Sequence, residues 1–231
     1  ACLVGSEMCI RDRSPTVSAG ATNTDYKIKA KEGLSVGTYT ATITVTDSNG
    51  NYTATVTLKV EKKNLTVGIS GLDSTWVYGT TKTPPTATGV TGLGAGDYKI
   101  TYSKENNGSY EDIGTTLPKL VGKYKATLSI TNPNYTASDA SVDFEITPIT
   151  TEVKVKSYDD TFTYDGTYHT KNAYDVLWAN NASAVADKTL PNGDKVTAVI
   201  TGKVRDVKDT ADGNNTIESI TITNADNVDV T

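Results

Sequence analysis

The chain has 231 residues, 36% of them hydrophobic, with 22 Lys+Arg against 27 Asp+Glu and a formal net charge of −5. This length allows one to three domains. The acidic balance argues against a nucleic-acid interface, which needs clustered positive charge. No run of about 18 apolar residues is present, so no helical membrane span is expected. Thr, Val, Asn, Asp, Gly and Tyr set the character of the chain. β-branched and aromatic residues suit pleated, half-buried surfaces, and Asn, Asp and Gly suit turns. The expectation is an all-β chain.

Residues 1–13, ACLVGSEMCIRDR, stand apart. They hold both cysteines, Cys2 and Cys9, and the only methionine, Met8. A secretory signal would need a basic start, an apolar middle and a small-residue cleavage site, and none is here. A disulfide and a metal pair are both open readings of Cys2 and Cys9, but two Cys without a nearby His are a weak metal signal. The run Leu3–Asp12 resembles, codon by codon, the conceptual translation of a transposase-type sequencing adapter. That resemblance implies that residues 1–13 are an artefact leader rather than part of a domain.

A period-2 pattern begins at Gly37. Tyr39, Ala41, Ile43 and Val45 alternate with threonines. After Asp47-Ser48-Asn49-Gly50-Asn51, Tyr52, Ala54, Val56, Leu58 and Val60 alternate with Thr53, Thr55, Thr57 and Lys59. Alternation on both sides of an Asn-Gly turn predicts a hairpin with one apolar and one Thr-rich face. Residues 14–62 add one further strand, Tyr26–Ala30. About 50 residues is half of a seven-strand sandwich. The segment therefore reads as the C-terminal part of a truncated immunoglobulin-like (Ig-like) module.

Residues 63–149 read as a complete module. Leu65, Val67 and Ile69 alternate, followed by Thr75-Trp76-Val77-Tyr78-Gly79 and by strands at Tyr98–Tyr102, Tyr124–Ile130 and Ala140–Ile146. Gly, Pro and Asn clusters punctuate them. Residues 150–231 restart the phrase. Val153, Val155, Asp159, Thr161, Phe162 and Tyr164 each fall 86 residues after Val67, Ile69, Asp73, Thr75, Trp76 and Tyr78. This is an internal repeat, the usual mark of an array. Strands are expected at Lys195–Val204 and Thr216–Thr223. No closing hairpin follows them, so this third module also reads as C-terminally truncated. The linkers are Glu61-Lys62-Lys63 and Thr147-Pro148-Ile149-Thr150.

Gly37–Asp47 resembles the end of a bacterial Ig-like or cadherin-like domain. Trp76-Val77-Tyr78-Gly79, with Gly122-Lys123-Tyr124, resembles YGX-type MBG repeats. Phe162-Thr163-Tyr164-Asp165-Gly166 resembles the repeat named for its Tyr-Asp-Gly signature. These resemblances imply tandem Ig-like β-sandwich modules of a bacterial adhesin or other cell-surface protein, with a β-grasp-like module as the alternative for 150–231. They imply an extracellular, envelope-associated location and a stalk or spacer role. The alternative role is an adhesive module that binds glycan or protein through exposed aromatics and strand edges. The partners expected are neighbouring repeats of the same chain and host or envelope glycan or protein.

The chemistry on offer is thin. Tyr78-Gly79 and Asp165-Gly166 read as turns in which Gly takes positive φ while the Tyr ring caps a core. Trp178, Tyr164 and Tyr110 are the aromatics expected to meet a ligand, because aromatic faces stack on apolar sugar faces. His169 is the only histidine, and a catalytic triad needs a nucleophile and an acid converging on it. Asp47–Asn51 starts like a calcium loop, but the position that should carry Glu is Leu58. Asp159-Asp160 and Asp209–Asn214 are acidic turns that reach the same chemistry only across a junction. Gly92–Gly96 precedes a strand rather than the helix N-terminus that phosphate binding uses. No catalytic, cofactor-binding or metal residue is assigned, no cofactor is expected, and the chain is not expected to be an enzyme.

If the adapter resemblance is correct, sequencing the locus from unfragmented DNA will lack the codons for residues 1–13. Finding them there would remove the artefact reading.

Overall fold

Alternating side chains let a strand present one apolar face, and Gly122–Ile130 and Ala140–Thr147 follow that pattern. The structure is a computed structural model that describes residue 30 and residues 32–179, 181, 183–210 and 213–231. Cys2, Cys9 and most of the expected strand at Tyr26–Ala30 lie outside the described residues. The chain is all-β. In chain order the strands are β1 (Gly37–Asp47), β2 (Gly50–Val60), β3 (Lys63–Asn64), β4 (Gly68–Ser70), β5 (Thr75–Val77), β6 (Thr86–Thr88), β7 (Tyr98–Asn106) and β8 (Ser109–Gly114). They continue as β9 (Gly122–Ile130), β10 (Tyr135–Thr136), β11 (Ala140–Thr147), β12 (Val153–Ser157), β13 (Tyr174–Trp178), β14 (Lys195–Thr201) and β15 (Thr216–Thr223). Two 3-10 turns, Ala186–Lys188 and Val207–Asp209, complete the regular structure among the described residues. Five strands form one sheet in the order β5-β11-β9-β7-β8, and the others pair two by two.

Two compact units emerge. The first comprises the described residues up to Ser70 together with Pro85–Thr101 and Ala126–Ser141. Its clearest element is the β1–β2 hairpin, in which Tyr39 faces Leu58, Ala41 faces Val56 and Ile43 faces Ala54. Between them Thr40 faces Thr57, Thr42 faces Thr55 and Thr44 faces Thr53. Such cross-strand pairs contribute roughly 0.2–1 kcal/mol each relative to Ala–Ala. The hairpin closes through Ser48-Asn49, since Asp47 pairs with Gly50. The turn thus lies one residue before the expected Asn49-Gly50, and Gly50 opens β2 at φ 143°.

Part of the expected linker is structured. Lys63–Asn64 pairs in parallel with Tyr135–Thr136, and the Val36 N–H donates to Asn134 Oδ1 at 2.8 Å. The stretch read as one alternating strand through Leu65, Val67 and Ile69 is instead broken into β3 and β4. β4 pairs antiparallel with β6. Gly89, at φ 73°, ends that pair, and a Cβ there would fall 1.9 Å from the Thr66 carbonyl oxygen.

The second unit comprises Gly71–Pro84, Tyr102–Lys125 and Val142–Thr231. Its aromatic centre is Phe144. The Phe144 ring stacks on Trp76 at 5.1 Å and on Tyr124 at 5.4 Å, and meets Tyr102 edge-on at 6.2 Å. All four residues are buried. Burial raises the phenol pKa of both Tyr102 and Tyr124, and the Tyr124 hydroxyl donates to the Leu120 carbonyl at 2.7 Å. β5 reaches this centre by pairing in parallel with β11, Trp76 opposite Ile146. β7 and β8 form a hairpin over Asn107-Gly108, both at positive φ, the residues a two-residue type I′ loop requires.

A smaller core of Val176, Leu190 and Val196 holds the C-terminal strands. Val153, Val155, Tyr174, Trp178, Val185 and Ile222 pack against it. β12 pairs antiparallel with β13, and β14 with β15.

Phe144→Ala is expected to destabilise the chain by about 3–5 kcal/mol, because it removes a buried ring in contact with three others. Tyr52, 57% exposed, changed to Ser should stay within about 0.5 kcal/mol. Urea unfolding of both variants checks the contrast, which vanishes if the Phe144 stack is absent in solution.

Candidate binding surface

The segment from Tyr158 to His169 carries the densest set of exposed rings among the described residues. Tyr158, Phe162, Tyr164 and Tyr168 are 40%, 38%, 66% and 57% exposed. The backbone here turns sharply rather than running as a strand. Gly166 sits at φ 77°, a left-handed geometry that Gly adopts without penalty. The Asp165 carboxylate closes the turn by accepting the Thr167 N–H at 2.8 Å and the Thr167 hydroxyl at 2.7 Å. His169 Nε2 lies 2.9 Å from the same oxygen.

His169 is therefore fixed rather than free. Its ring stacks on Phe162 at 4.6 Å. Its backbone N–H donates to the Val204 carbonyl at 2.8 Å, and the Val204 N–H donates back at 3.1 Å. Across the bridge, Lys203 Nζ stands 4.6 Å and the Arg205 guanidinium 5.2 Å from the Tyr168 ring centre. Exposed contacts of this kind are worth about 0.5–1 kcal/mol. Tyr158, Phe162, His169, Lys171, Asn214 and Asn215 help line a cleft of about 340 Å³. The Lys171 ammonium pairs with Asp160 at 2.6 Å, which with the Thr161 N–H lowers the Asp160 pKa.

The three aromatics singled out from the sequence occupy different settings. Tyr164 is the most exposed, and it makes no hydrogen bond or ring contact among the described residues. The expectation that its ring caps a core is corrected here. The glycine half of that expectation holds at Gly166 and at Gly79, φ 82°, but the Tyr164 ring points to solvent. Tyr110 is 43% exposed and covered on one face by Lys125 Nζ at 4.4 Å from the ring centre. Trp178 is half-buried. It packs on the Val176 core and lines a cavity of about 520 Å³ with Tyr78, Val121, Val153, Leu190 and Ile222. The structure does not bring these three rings together.

Sequence reasoning passed over Asp194. This carboxylate is 5% exposed. It accepts the Tyr78 hydroxyl at 3.2 Å and the Asn192 amide at 2.7 Å. Burial first, and the Asp194 charge second, raise the Tyr78 pKa. The Asn192-Gly193-Asp194 turn signal was legible, but its burial was not. Among the described residues, no group of three or more His, Cys, Asp or Glu side chains forms a metal-binding arrangement, and no helix is long and apolar enough to cross a membrane. The chain matches no known protein family, no curated protein and no solved structure.

The Asp165 carboxyl is held down to about 2, first by the Thr167 N–H, then by the Thr167 hydroxyl and His169. A depressed carboxylate supports the folded turn at every pH above its ordinary value of about 3.9. That support declines below about 3.9 and is gone once pH has fallen through about 2. Carboxyl-carbon NMR should therefore give Asp165 a midpoint near 2, and Thr167→Val should move it upward. A midpoint already in the ordinary Asp range in the parent chain would mean the turn does not close in solution.

Proposed function

We propose that this chain is a non-catalytic stretch of tandem Ig-like modules from a bacterial cell-surface or secreted protein, and that its main role is to act as a stalk or spacer. The observation that carries this reading is the facing of the β1–β2 hairpin. One side is apolar, and the other is a ladder of opposed threonines. A ladder of this kind adds cross-strand stability to a solvent face that offers no shaped recess. The 86-residue return of the entry phrase supports an array. Pro148, which lacks an N–H donor, fits a stiff connection between modules better than a central strand. The resemblance of Gly37–Asp47, Trp76–Gly79 and Phe162–Gly166 to surface-protein repeats supports the extracellular setting.

One observation favours the adhesive alternative. Tyr164, 66% exposed, stands beside the cleft-lining Phe162. Exposed aromatic faces of this kind stack on sugars, and planar polar groups such as Asn214 and Asn215 suit sugar hydroxyls.

The two roles separate in paired experiments on the full chain. Single-molecule extension from both ends is expected to show discrete unfolding steps, and smooth extension at low load would sink the spacer reading. A glycan array is expected to show no saturable binding. Reproducible binding that disappears in Tyr164→Ala would replace the spacer by the adhesive module.

A further inference from the structure

Asp194 is buried without a countercharge. It is 5% exposed, and an ionised carboxylate offers about four acceptor sites. Two neutral donors reach it, the Tyr78 hydroxyl at Oδ1 and the Asn192 amide at Oδ2. Among the described residues, no Lys, Arg or His forms an ion pair with it. Lysines do line the cavities beside it. Lys82 is paired with Asp73 and lies over the Trp76 ring. Lys104 and Lys119 make no ion pair with Asp194. The surroundings add negative charge instead. Asp226 contributes to the field that raises the Tyr78 pKa, and Asp229 lines a cavity with Asp194.

The loop that carries Asp194 is closed on itself. The Leu190 N–H donates to the Asp194 carbonyl at 2.8 Å and the Gly193 N–H to the Leu190 carbonyl at 2.9 Å. The Asp194 N–H donates to Asn192 Oδ1 at 3.3 Å. These bonds hold the carboxylate at the wall of the cavity of about 520 Å³. Pro148, Val153, Trp178, Leu190 and Ile222 supply apolar walls. A buried carboxylate is costly unless a cation and hydrogen bonds replace its lost water. Trp178 gives the same cavity an indole, the side chain that attracts ammonium groups most strongly. We infer that this cavity binds a small organic ammonium ion. The head group pairs with Asp194, and the apolar body lies against Val153, Trp178 and Ile222. A neutral sugar would leave the carboxylate without a countercharge, so the chemistry selects a cation. The cavity shares no lining residue with the cleft beside Phe162. The site therefore goes beyond the spacer and adhesive readings and does not depend on choosing between them.

The test titrates the full chain near neutral pH with phenethylamine and, in parallel, with the uncharged phenethyl alcohol. Proton–nitrogen NMR is read at the Asn192 side-chain amide and at the Trp178 indole N–H. The other tryptophan, Trp76, does not line this cavity and serves as the internal reference. The expected result is a saturable shift at Asn192 and Trp178 with a midpoint in about the millimolar range. Trp76 stays unmoved, and the alcohol binds about tenfold more weakly or worse, because it lacks the charge-assisted bond. Asp194→Asn keeps the shape, removes the charge and is expected to abolish the preference for the amine. The comparison of amine with alcohol in the parent chain requires no variant to fold. Four results overturn the proposal: no saturable shift up to about 20 mM amine, equal binding of amine and alcohol, a shift at Trp76 rather than Trp178, or an amine preference that survives in folded Asp194→Asn.

Discussion

The parallel pairing of Thr75–Val77 with Glu145–Thr147 is the constraint on which the second unit depends. It is only three residues long, yet it decides where Trp76 lies. With the pairing in place, Trp76, Phe144 and Tyr124 stack in series and Tyr102 closes the edge. A chain with 36% hydrophobic residues has few large side chains with which to build a core. Each aromatic fully buried therefore carries a large share of its stability. Short strands suffice because the rings, rather than long ladders, supply the energy.

The contrast between the two copies of the entry phrase follows from the same constraint. Trp76 and Phe162 are both large aromatics with β-branched neighbours, so local preference treats them alike. One is buried and the other is 38% exposed. The difference lies in what the rest of the chain brings to their backbones. Where β11 lies alongside, the edge is satisfied and the ring goes inward. At the second copy, the Asp165-Gly166 turn and the His169–Phe162 stack organise the segment instead. Similar residues in the same register thus end at different depths.

Much of the strand pattern was legible because period-2 alternation is a local property. Gly37–Val60, Gly122–Ile130 and Ala140–Thr147 carry clean alternation and form strands as read. Shorter strands escaped notice. Thr86–Thr88 holds no large apolar residue, and Ser109–Gly114 is mostly polar. The latter follows Asn107-Gly108, a hairpin signal present in the sequence and overlooked. Tyr174–Trp178 was missed as a strand, and with it the reason Trp178 faces a core. The Ser48-Asn49 turn lies one residue from the expected position because cross-strand register, set by apolar pairs such as Tyr39 with Leu58, outranks local turn preference.

By itself the sequence determined the all-β class, the two-faced hairpin, the 86-residue repeat and the positive-φ turns at Gly79 and Gly166. These depend on neighbours a few residues apart or on direct self-similarity. Only the tertiary structure decided that Tyr164 points outward while Trp178 packs inward, that Asp194 is buried against Tyr78, and that Trp76 is buried while Phe162 is 38% exposed. Each of these depends on a partner far along the chain or on its absence. Side-chain type sets how much free energy burial can release, but long-range backbone pairing decides which side chains are buried.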